Sequence, residues 1–281
     1  MKSKEELIND LIKLAFAEDV GDGDHTTLST IPAEAKGRQQ LIIKEDGILA
    51  GVEMARRVFD YFDPELKMTV FINDGAHVKS GDVAFIVEGS VRSLLQTERT
   101  MLNIMQRMSG IATMTARYQE RLKGLKTKVL DTRKTTPGMR LIEKEAVKIG
   151  GGENHRIGLF DMILIKDNHV DFAGGIPQAV AATKKYLKET GRNLRIEVEV
   201  RNTEEINQAL AAGVDRIMLD NFTPERTREA VKLINGATEI ESSGGITLET
   251  LREYGECGVD YISVGALTHS VKGLDMSFKA C

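Results

Sequence analysis

The sequence predicts an α/β fold whose C-terminal part is a parallel barrel. From about Lys128 onward, short runs rich in β-branched residues alternate with segments of helical periodicity, which is typical of βαβ units. Right-handed crossovers place such strands in a parallel sheet or barrel. The runs are almost wholly apolar until polar residues end them, as expected for strands buried on both faces. A barrel explains the pattern better than an open sheet, because nearly every strand end carries a chemically capable residue and these ends form the active-site face of α/β barrels.

The first third of the 281-residue chain mixes helices with strands. The expected helices cover residues 4–18, 54–61 and 93–122, and the expected strands cover residues 39–44 and 67–72. Between them, NDGAHVKSGDVAFIVEG (73–89) alternates turns with short strands, and EDVGDGDHTT (18–27) has the composition of a loop. This part of the chain is therefore expected to form compact structure of its own, followed by one long helix.

Six strands are expected in the barrel region. They cover KVLDTR (128–133), DMILIKD (161–167), RIEVEV (195–200), RIMLD (216–220), TEIESS (238–243) and YISVG (261–265). The intervening helices are expected near residues 140–149, 176–190, 203–212, 224–234 and 247–254.

Composition and charge exclude several classes of protein. A hydrophobic content of 41% with 28% charged residues is ordinary for a soluble globular protein, and the net charge of −4 argues against broad nucleic-acid binding. Cys257 and Cys281 lack the spacing of a metal site or a disulfide framework, which favours reduced thiols in the cytosol. The charged, amphipathic start shows no secretory segment, and no apolar run approaches membrane-spanning length. We therefore expect a soluble cytoplasmic protein with no nucleic-acid or membrane partner.

The residues at the ends of the predicted strands form an ordered pattern. In strand order they are Arg133 and Lys134, then Lys166, Glu199, Asp220, the turn Ser243-Gly244-Gly245, and Gly265. Cations thus follow the early strands, carboxylates the middle ones, and glycine turns the last two. This order predicts one functional site on the carboxyl face of the barrel.

Two glycine turns, SSGGIT (242–247) and VGALTHS (264–270), follow the last two strands. In barrels such turns commonly hold a phosphate, because bare backbone N–H groups and the next helix N-terminus attract an anion. The alternative is that the glycines only allow tight turns. Their occurrence on two consecutive last strands favours phosphate binding.

Carboxylates and arginines supply the remaining candidates. Glu199 and Asp220, on adjacent strands, could bind ribose hydroxyls or hold Mg²⁺ directly or through water; alternatively they only neutralise nearby lysines. The planar guanidinium of an arginine can grip a carboxylate. Arg133, beside Lys134 at a strand end, fits that role better than the usual solvated arginine does. Arg99, on a predicted helix, does not by its position alone.

The stretch GGGENHRIGLFDMILIKDNH (150–169) gathers His155, Arg156 and Lys166 around permissive backbone. In a chain that is acidic as a whole, such a local concentration of cations indicates a floor for bound anions.

Several blocks of sequence resemble, in order and over nearly the whole chain, those of the quinolinate phosphoribosyltransferases, also called nicotinate-nucleotide pyrophosphorylases (carboxylating). The blocks are EDVGDGDHTT, QTERTMLNIMQRMSGIAT, LDTRKTTPGMR, GGGENHRIGLFDMILIKDNH, IEVEV, MLDNF, ESSGGI and VDYISVGALTHS. The resemblance implies an N-terminal α/β sandwich domain (1–112), with the tail 268–281 packing back on it, and an incomplete, seven-stranded α/β barrel (113–267). The sequence itself shows only six strands, and the seventh has no assigned position.

The resemblance also implies an activity, namely transfer of the phosphoribosyl group of phosphoribosyl pyrophosphate to quinolinate with decarboxylation, giving nicotinate mononucleotide in de novo NAD biosynthesis. It implies that quinolinate is bound by Arg99, Arg133, His155 and Arg156, with Arg99 contributed by the other subunit of a homodimer. Lys134 and Lys166 would meet phosphoribosyl pyrophosphate and the reacting ring, while Glu199 and Asp220 would face the ribose and its Mg²⁺. Ser243, Gly244, Gly245 and Gly265 would hold the 5′-phosphate.

Three other functions fit parts of the pattern. A protein of the same fold could act on another pyridine acid such as nicotinate, or be the related molybdenum-transport-associated protein; turnover of competing substrates distinguishes these. A Schiff-base lyase would use Lys166, and borohydride would trap a substrate on it. A non-catalytic barrel would bind phosphoribosyl pyrophosphate without turning over any pyridine carboxylate.

Overall fold

A computed structural model of the chain describes residues 2–281, and its elements follow the predicted order. They are α1 (Lys4–Asp19), α2 (His25–Thr30), β1 (Lys36–Ile43), β2 (Gly47–Ile48), α3 (Val52–Phe62), β3 (Lys67–Val70), β4 (His77–Val78), β5 (Val83–Ser90), α4 (Val91–Arg121), β6 (Lys128–Leu130), α5 (Arg140–Ile149), β7 (Ile163–Ile165), α6 (Asp167–Ala173), α7 (Ile176–Thr190), β8 (Ile196–Val200), α8 (Thr203–Ala212), β9 (Arg216–Asp220), α9 (Pro224–Ile234), β10 (Glu239–Ser243), α10 (Leu251–Gly255), β11 (Tyr261–Ser263), α11 (Ala266–His269) and β12 (Met276–Ala280).

The chain forms two compact units. The first consists of residues 2–116, 135–151 and 267–281, and the second of residues 117–134 and 152–266. The C-terminal tail therefore belongs to the first unit, although it follows the barrel in sequence.

The first unit is built on a four-stranded antiparallel sheet in the order β12-β1-β5-β3. Helix α3 covers this sheet through Phe59, whose ring lies 6.3 Å from that of Phe85 on β5 and 6.1 Å from that of Phe278 on β12. Helix α1 packs on α3 in turn, since Phe16 lies 4.9 Å from Phe62. Aromatic side chains at this spacing bury large apolar areas, so they account for much of the core of the unit.

The second unit contains a parallel sheet of six strands in the order β6-β11-β10-β9-β8-β7. The chain order around this sheet is that of a βαβ barrel, and the six strands confirm those expected from the sequence. A single parallel bridge joins Leu130 of β6 to Glu153, at the place between β6 and β7 where a seventh strand would lie. The seventh strand implied by the resemblance is thus reduced to one bridged residue, which leaves the barrel incomplete.

Several short elements differ from the expectation. Helix α2 begins inside the stretch predicted as loop, because Asp24 caps it by accepting a hydrogen bond from the N–H of Thr27 at 3.0 Å. Helix α6 and strand β12 were not expected either. All three are seven residues or fewer, too short for hydrophobic periodicity to emerge. Among residues 2–281, no helix combines the length and apolar character that a membrane crossing needs.

Candidate active site

The predicted barrel residues lie in the second unit, at or just beyond the carboxyl ends of its parallel strands and of the Glu153 bridge. They are Arg133, Lys134, His155, Arg156, Lys166, Glu199, Asp220, Ser243, Gly244, Gly245 and Gly265. Since neighbouring parallel strands end at the same edge, these residues share one face of the unit. Arg99 lies in the first unit, exposed on α4.

Lys166 and Glu199 form an ion pair at this face. The Nζ atom of Lys166 donates to Oε2 of Glu199 at 2.9 Å. The carboxylate is buried, whereas about half of the lysine side chain is exposed at 48%. One strand end thus presents an accessible ammonium held in place by a buried carboxylate, which suits contact with an anionic substrate.

Asp220, at the end of β9, lies close enough to Glu199 for their charges to interact. Burial, followed by the negative charge of Glu199, raises the pKa of the Asp220 carboxyl above its usual value. The side-chain amide of Asn221 donates to Asp220 Oδ2 at 2.8 Å and counters part of that rise. Two neighbouring carboxylates that repel each other form a favourable place for a cation, and hard oxygen ligands are those that Mg²⁺ prefers. The donor set therefore fits Mg²⁺.

The glycine turn after β10 is held against the end of β9. The backbone N–H of Asn221 donates to the carbonyl oxygen of Ser243 at 2.9 Å. Gly244 has a φ of 98°, and a Cβ there would clash with the side-chain oxygen of Asn221. Asn221 itself has a positive φ of 54°, a conformation that asparagine tolerates better than most residues. Gly244 and Gly245 both have positive φ angles, and successive backbone N–H groups in turns of this kind form the concave sites that bind anions, as expected for a phosphate site.

Arg156 and Arg133 form a pair of like charges. Burial, and secondly the positive charge of Arg133, lowers the pKa of the Arg156 guanidinium. Its Nη1 donates to the carbonyl oxygen of Met162 at 3.2 Å, and Asp161 accepts from the N–H groups of Ile157 and Gly158, which pins the surrounding loop. Two guanidinium groups close enough for their charges to interact are suited to a ligand with two carboxylates.

Lys134 and Gly265 complete the predicted set. Lys134 is exposed in the loop after β6, where its backbone N–H donates to Thr132 Oγ1 at 3.1 Å. Gly265 follows β11 and is partly buried. Both lie on the strand-end face, as expected from their positions in the sequence.

Below this face lies a buried ionic cluster that the sequence analysis missed. Nε2 of His155 is 3.0 Å from Oε2 of Glu197 and 3.5 Å from Oε2 of Glu241, and Nη1 of Arg216 donates to Oε2 of Glu241 at 3.2 Å. Burial raises the pKa of Glu197 to about 7, and burial together with the charge of Glu197 raises the pKa of Glu241 to about 8. Each of these carboxyl groups therefore keeps its proton to a higher pH than an ordinary glutamate does. The signal available in the sequence was the placing of charged residues inside otherwise apolar strands.

Two protein-family models match the chain. The model for the quinolinate phosphoribosyl transferase C-terminal domain matches residues 111–279, and that for the N-terminal domain matches residues 24–109. Together they match most of both units.

Individual proteins are similar over almost the full length. Quinolinate phosphoribosyltransferase (decarboxylating) 1b of Nicotiana tabacum is 46% identical over 285 residues, which cover 96% of this chain and 81% of that protein. The crystal structure of NadC from Streptococcus pyogenes superimposes with a TM-score of 0.93 at 43% identity, covering 99% of this chain and 98% of the other. The nicotinate-nucleotide pyrophosphorylase from Francisella tularensis gives a TM-score of 0.91 at 40% identity, covering 100% and 98% of the two chains. The chain therefore belongs to the quinolinate phosphoribosyltransferase family.

Proposed function

We propose that this protein transfers the phosphoribosyl group of phosphoribosyl pyrophosphate to quinolinate and decarboxylates the product, giving nicotinate mononucleotide, CO₂ and pyrophosphate in NAD biosynthesis. The observation that carries the proposal is the paired placement of Arg133 and Arg156 on the same face as the Lys166–Glu199 pair. Quinolinate, with its two carboxylates, and phosphoribosyl pyrophosphate need the arginine pair and the lysine–glutamate pair side by side. The names of the related proteins support the same reaction.

Quinolinate carries two adjacent carboxylates, so its recognition over nicotinate requires more than one cation. In the proposal Arg133 and Arg156 bind these carboxylates, and Arg99 adds a third guanidinium from the other subunit of a homodimer. His155 belongs to the same quinolinate-binding group. Its imidazole also accepts from the N–H of Arg156 at 2.7 Å, which helps to fix the position of that arginine.

Phosphoribosyl pyrophosphate occupies the other half of the face. Ser243, Gly244, Gly245 and Gly265 hold its 5′-phosphate through backbone N–H groups, and Lys134 and Lys166 bind the pyrophosphate and approach the reacting ring. Glu199 and Asp220 hold the ribose hydroxyls and Mg²⁺, directly or through water. When bound, the Mg²⁺ neutralises negative charge on the leaving pyrophosphate.

The chemistry needs positioning more than proton transfer. The ring nitrogen of quinolinate attacks the anomeric carbon as the bond to pyrophosphate breaks, and positive charge develops on the ribosyl carbon. The carboxylates of Glu199 and Asp220 stabilise that charge. The alkylated ring is a pyridinium, so it accepts the electron pair released when the carboxylate next to the nitrogen leaves as CO₂, and the ring carbon then takes a proton. Holding the two substrates in line lowers the activation barrier by roughly several kcal/mol.

The proposed assembly is a homodimer, which could associate into a higher oligomer. The proposed location is the cytoplasm. The two free thiols, Cys257 and Cys281, support a reducing compartment.

Direct turnover tests the proposal. The purified protein is incubated with quinolinate, phosphoribosyl pyrophosphate and Mg²⁺, and nicotinate mononucleotide and CO₂ are followed together, with nicotinate as the competing substrate. Equal amounts of CO₂ and mononucleotide from quinolinate are expected. Product from nicotinate without CO₂ would refute quinolinate as the substrate but would still support phosphoribosyl transfer. No product from either pyridine acid would refute the assignment as this enzyme.

A further inference from the structure

His155 is held inside the second unit by contacts on three sides. Its backbone N–H donates to Oδ1 of Asp131 at 2.9 Å, its Nδ1 accepts from the N–H of Arg156 at 2.7 Å, and its Nε2 lies 3.0 Å from Oε2 of Glu197. The side chain is 6% exposed. The ring therefore points into the barrel, while the residue that follows it carries a predicted contact to substrate.

These contacts determine the tautomer of the imidazole. A ring nitrogen that accepts a hydrogen bond from a backbone N–H must offer its lone pair, so Nδ1 carries no proton. The proton of the neutral ring is then on Nε2, which lies 3.0 Å from Oε2 of Glu197, a close polar contact that lacks the alignment of a hydrogen bond. A metal ion bound by His155, Glu197 and Glu241 would need the Nε2 lone pair, so the cluster fits an imidazole in polar contact with two carboxyl groups better than a metal site.

Glu197 connects this ring to the other half of the active-site face. It precedes Glu199 by two residues on β8, and residues two apart on a strand point to the same side. Glu199 lies at the end of the strand and holds Lys166 at 2.9 Å, whereas Glu197 lies one step deeper and contacts His155. A continuous path therefore runs from the backbone of Arg156 through the imidazole to β8.

We propose that His155 and Glu197 form a buried brace that sets the position of Arg156 relative to Glu199. The brace aligns the quinolinate end of the site with the phosphoribosyl end. In this role His155 and Glu197 are positioning residues, because they act through Arg156 and β8. This inference rests on the proposed function, since it assigns the two ends of the site to those two substrates.

Two substitutions at Glu197 separate a brace from simple filling of the core. Glu197→Gln keeps a polar side-chain oxygen beside His155 Nε2, whereas Glu197→Met fills similar space without one. We expect Glu197→Met to lower kcat/KM for quinolinate about tenfold, which corresponds to about 1.4 kcal/mol. The KM for phosphoribosyl pyrophosphate should stay within about twofold, because the cradle around Gly244 is untouched. Glu197→Gln should recover most of the loss.

A double-mutant cycle tests the same contact from its other side. His155→Asn keeps an acceptor for the N–H of Arg156, since its oxygen is attached at the same carbon as Nδ1, but it does not reach Glu197. It should match Glu197→Met in effect, and the double variant should be no worse than either single one. Should Glu197→Met fail to fold, His155→Asn provides the comparison alone. Thr227→Val is the control, because Thr227 is buried in the same unit and its hydroxyl has no hydrogen-bond partner among residues 2–281.

The outcomes are distinct. Wild-type protein without turnover defeats the proposed function. With wild-type turnover present, the brace alone is refuted by additive effects of the two substitutions, by equal losses for both substrates, or by Glu197→Gln being as poor as Glu197→Met. The expected pattern is a loss confined to quinolinate, recovered by glutamine and shared between His155 and Glu197, with Thr227→Val unchanged.

Discussion

Replacement of Arg156 by alanine offers a quantitative test of how the two substrates divide the active-site face. A guanidinium that grips a carboxylate donates two charge-assisted hydrogen bonds, each worth about 1.5–3 kcal/mol. Arg133 repels Arg156, and half-burial adds a desolvation cost, so the net contribution lies at the low end of the summed range, about 3 kcal/mol. Each 1.4 kcal/mol is a factor of ten, so Arg156→Ala should weaken quinolinate binding by about a hundredfold.

The assay is calorimetric titration of quinolinate and, separately, of phosphoribosyl pyrophosphate with Mg²⁺. Binding of phosphoribosyl pyrophosphate should change by less than about threefold, because the Lys166–Glu199 pair and the glycine turn remain intact. Arg195→Ala is the matched control, since Arg195 precedes β8 at its opposite end and pairs with Glu239 at 2.6 Å. Equal weakening of both substrates by Arg156→Ala would refute the reasoning, as would a quinolinate loss equal to that of the control.

Three further predictions concern assembly, pH and the glycine turn. Mixing inactive Arg99→Ala and Lys166→Ala proteins should restore part of the activity if Arg99 acts across a dimer interface; no recovery despite demonstrated subunit exchange would place Arg99 elsewhere. Burial raises the pKa of Glu241 to about 8, so the unfolded chain ionises first and stability is lost as the pH rises from about 4.5 to 8. Differential scanning fluorimetry should therefore show that the melting temperature falls less between pH 5 and 8 for Glu241→Gln than for wild type. The two falls should differ by about 4 °C if the titration of Glu241 changes the free energy of unfolding by about 2 kcal/mol. Parallel curves for the two proteins would contradict this. Gly244→Ala should weaken phosphoribosyl pyrophosphate binding at least tenfold in the same titrations, because its Cβ clashes with Asn221 at a positive φ, while quinolinate binding should persist.

The long elements could be predicted because their periodicity is strong. Helix α4 extends over Val91–Arg121 against an expected 93–122, and the buried strand β8 was expected at 195–200 and occupies Ile196–Val200. Strand β12 was missed for a second reason besides its short length. Its five residues pair with β1, which lies more than two hundred positions earlier in the sequence, and nothing local indicates such a partner.

The strand-end residues of the site could be predicted because the barrel topology brings the ends of distant strands to one face. The sequence could not show how deeply these side chains are buried or which groups they contact. Asn221, for example, follows Asp220 directly, and its part in holding the Gly244 turn depends on backbone angles that only the structure gives. The partner of Lys166 was likewise open between a substrate anion and a carboxylate, and the structure gives Glu199.

Glu197 and Glu199 show how the depth at which a side chain is buried determines its role within one strand. Both are glutamates on the same side of β8, and the sequence IEVEV treats them alike. Glu199 is buried beside a half-exposed lysine at the strand end, where a charged carboxylate can be balanced and can face substrate. Glu197 lies one step lower, where an unbalanced charge costs several kcal/mol, so it is compensated by the nearby Arg216 and lies 3.0 Å from His155 Nε2. Burial raises the pKa of Glu241 as well, and Arg216 balances the neighbouring carboxyl groups at 3.2 Å from Glu241 and 3.0 Å from Glu239. A buried cluster whose charges are balanced in this way holds its members in fixed positions, which is what a brace beneath a charged active site requires.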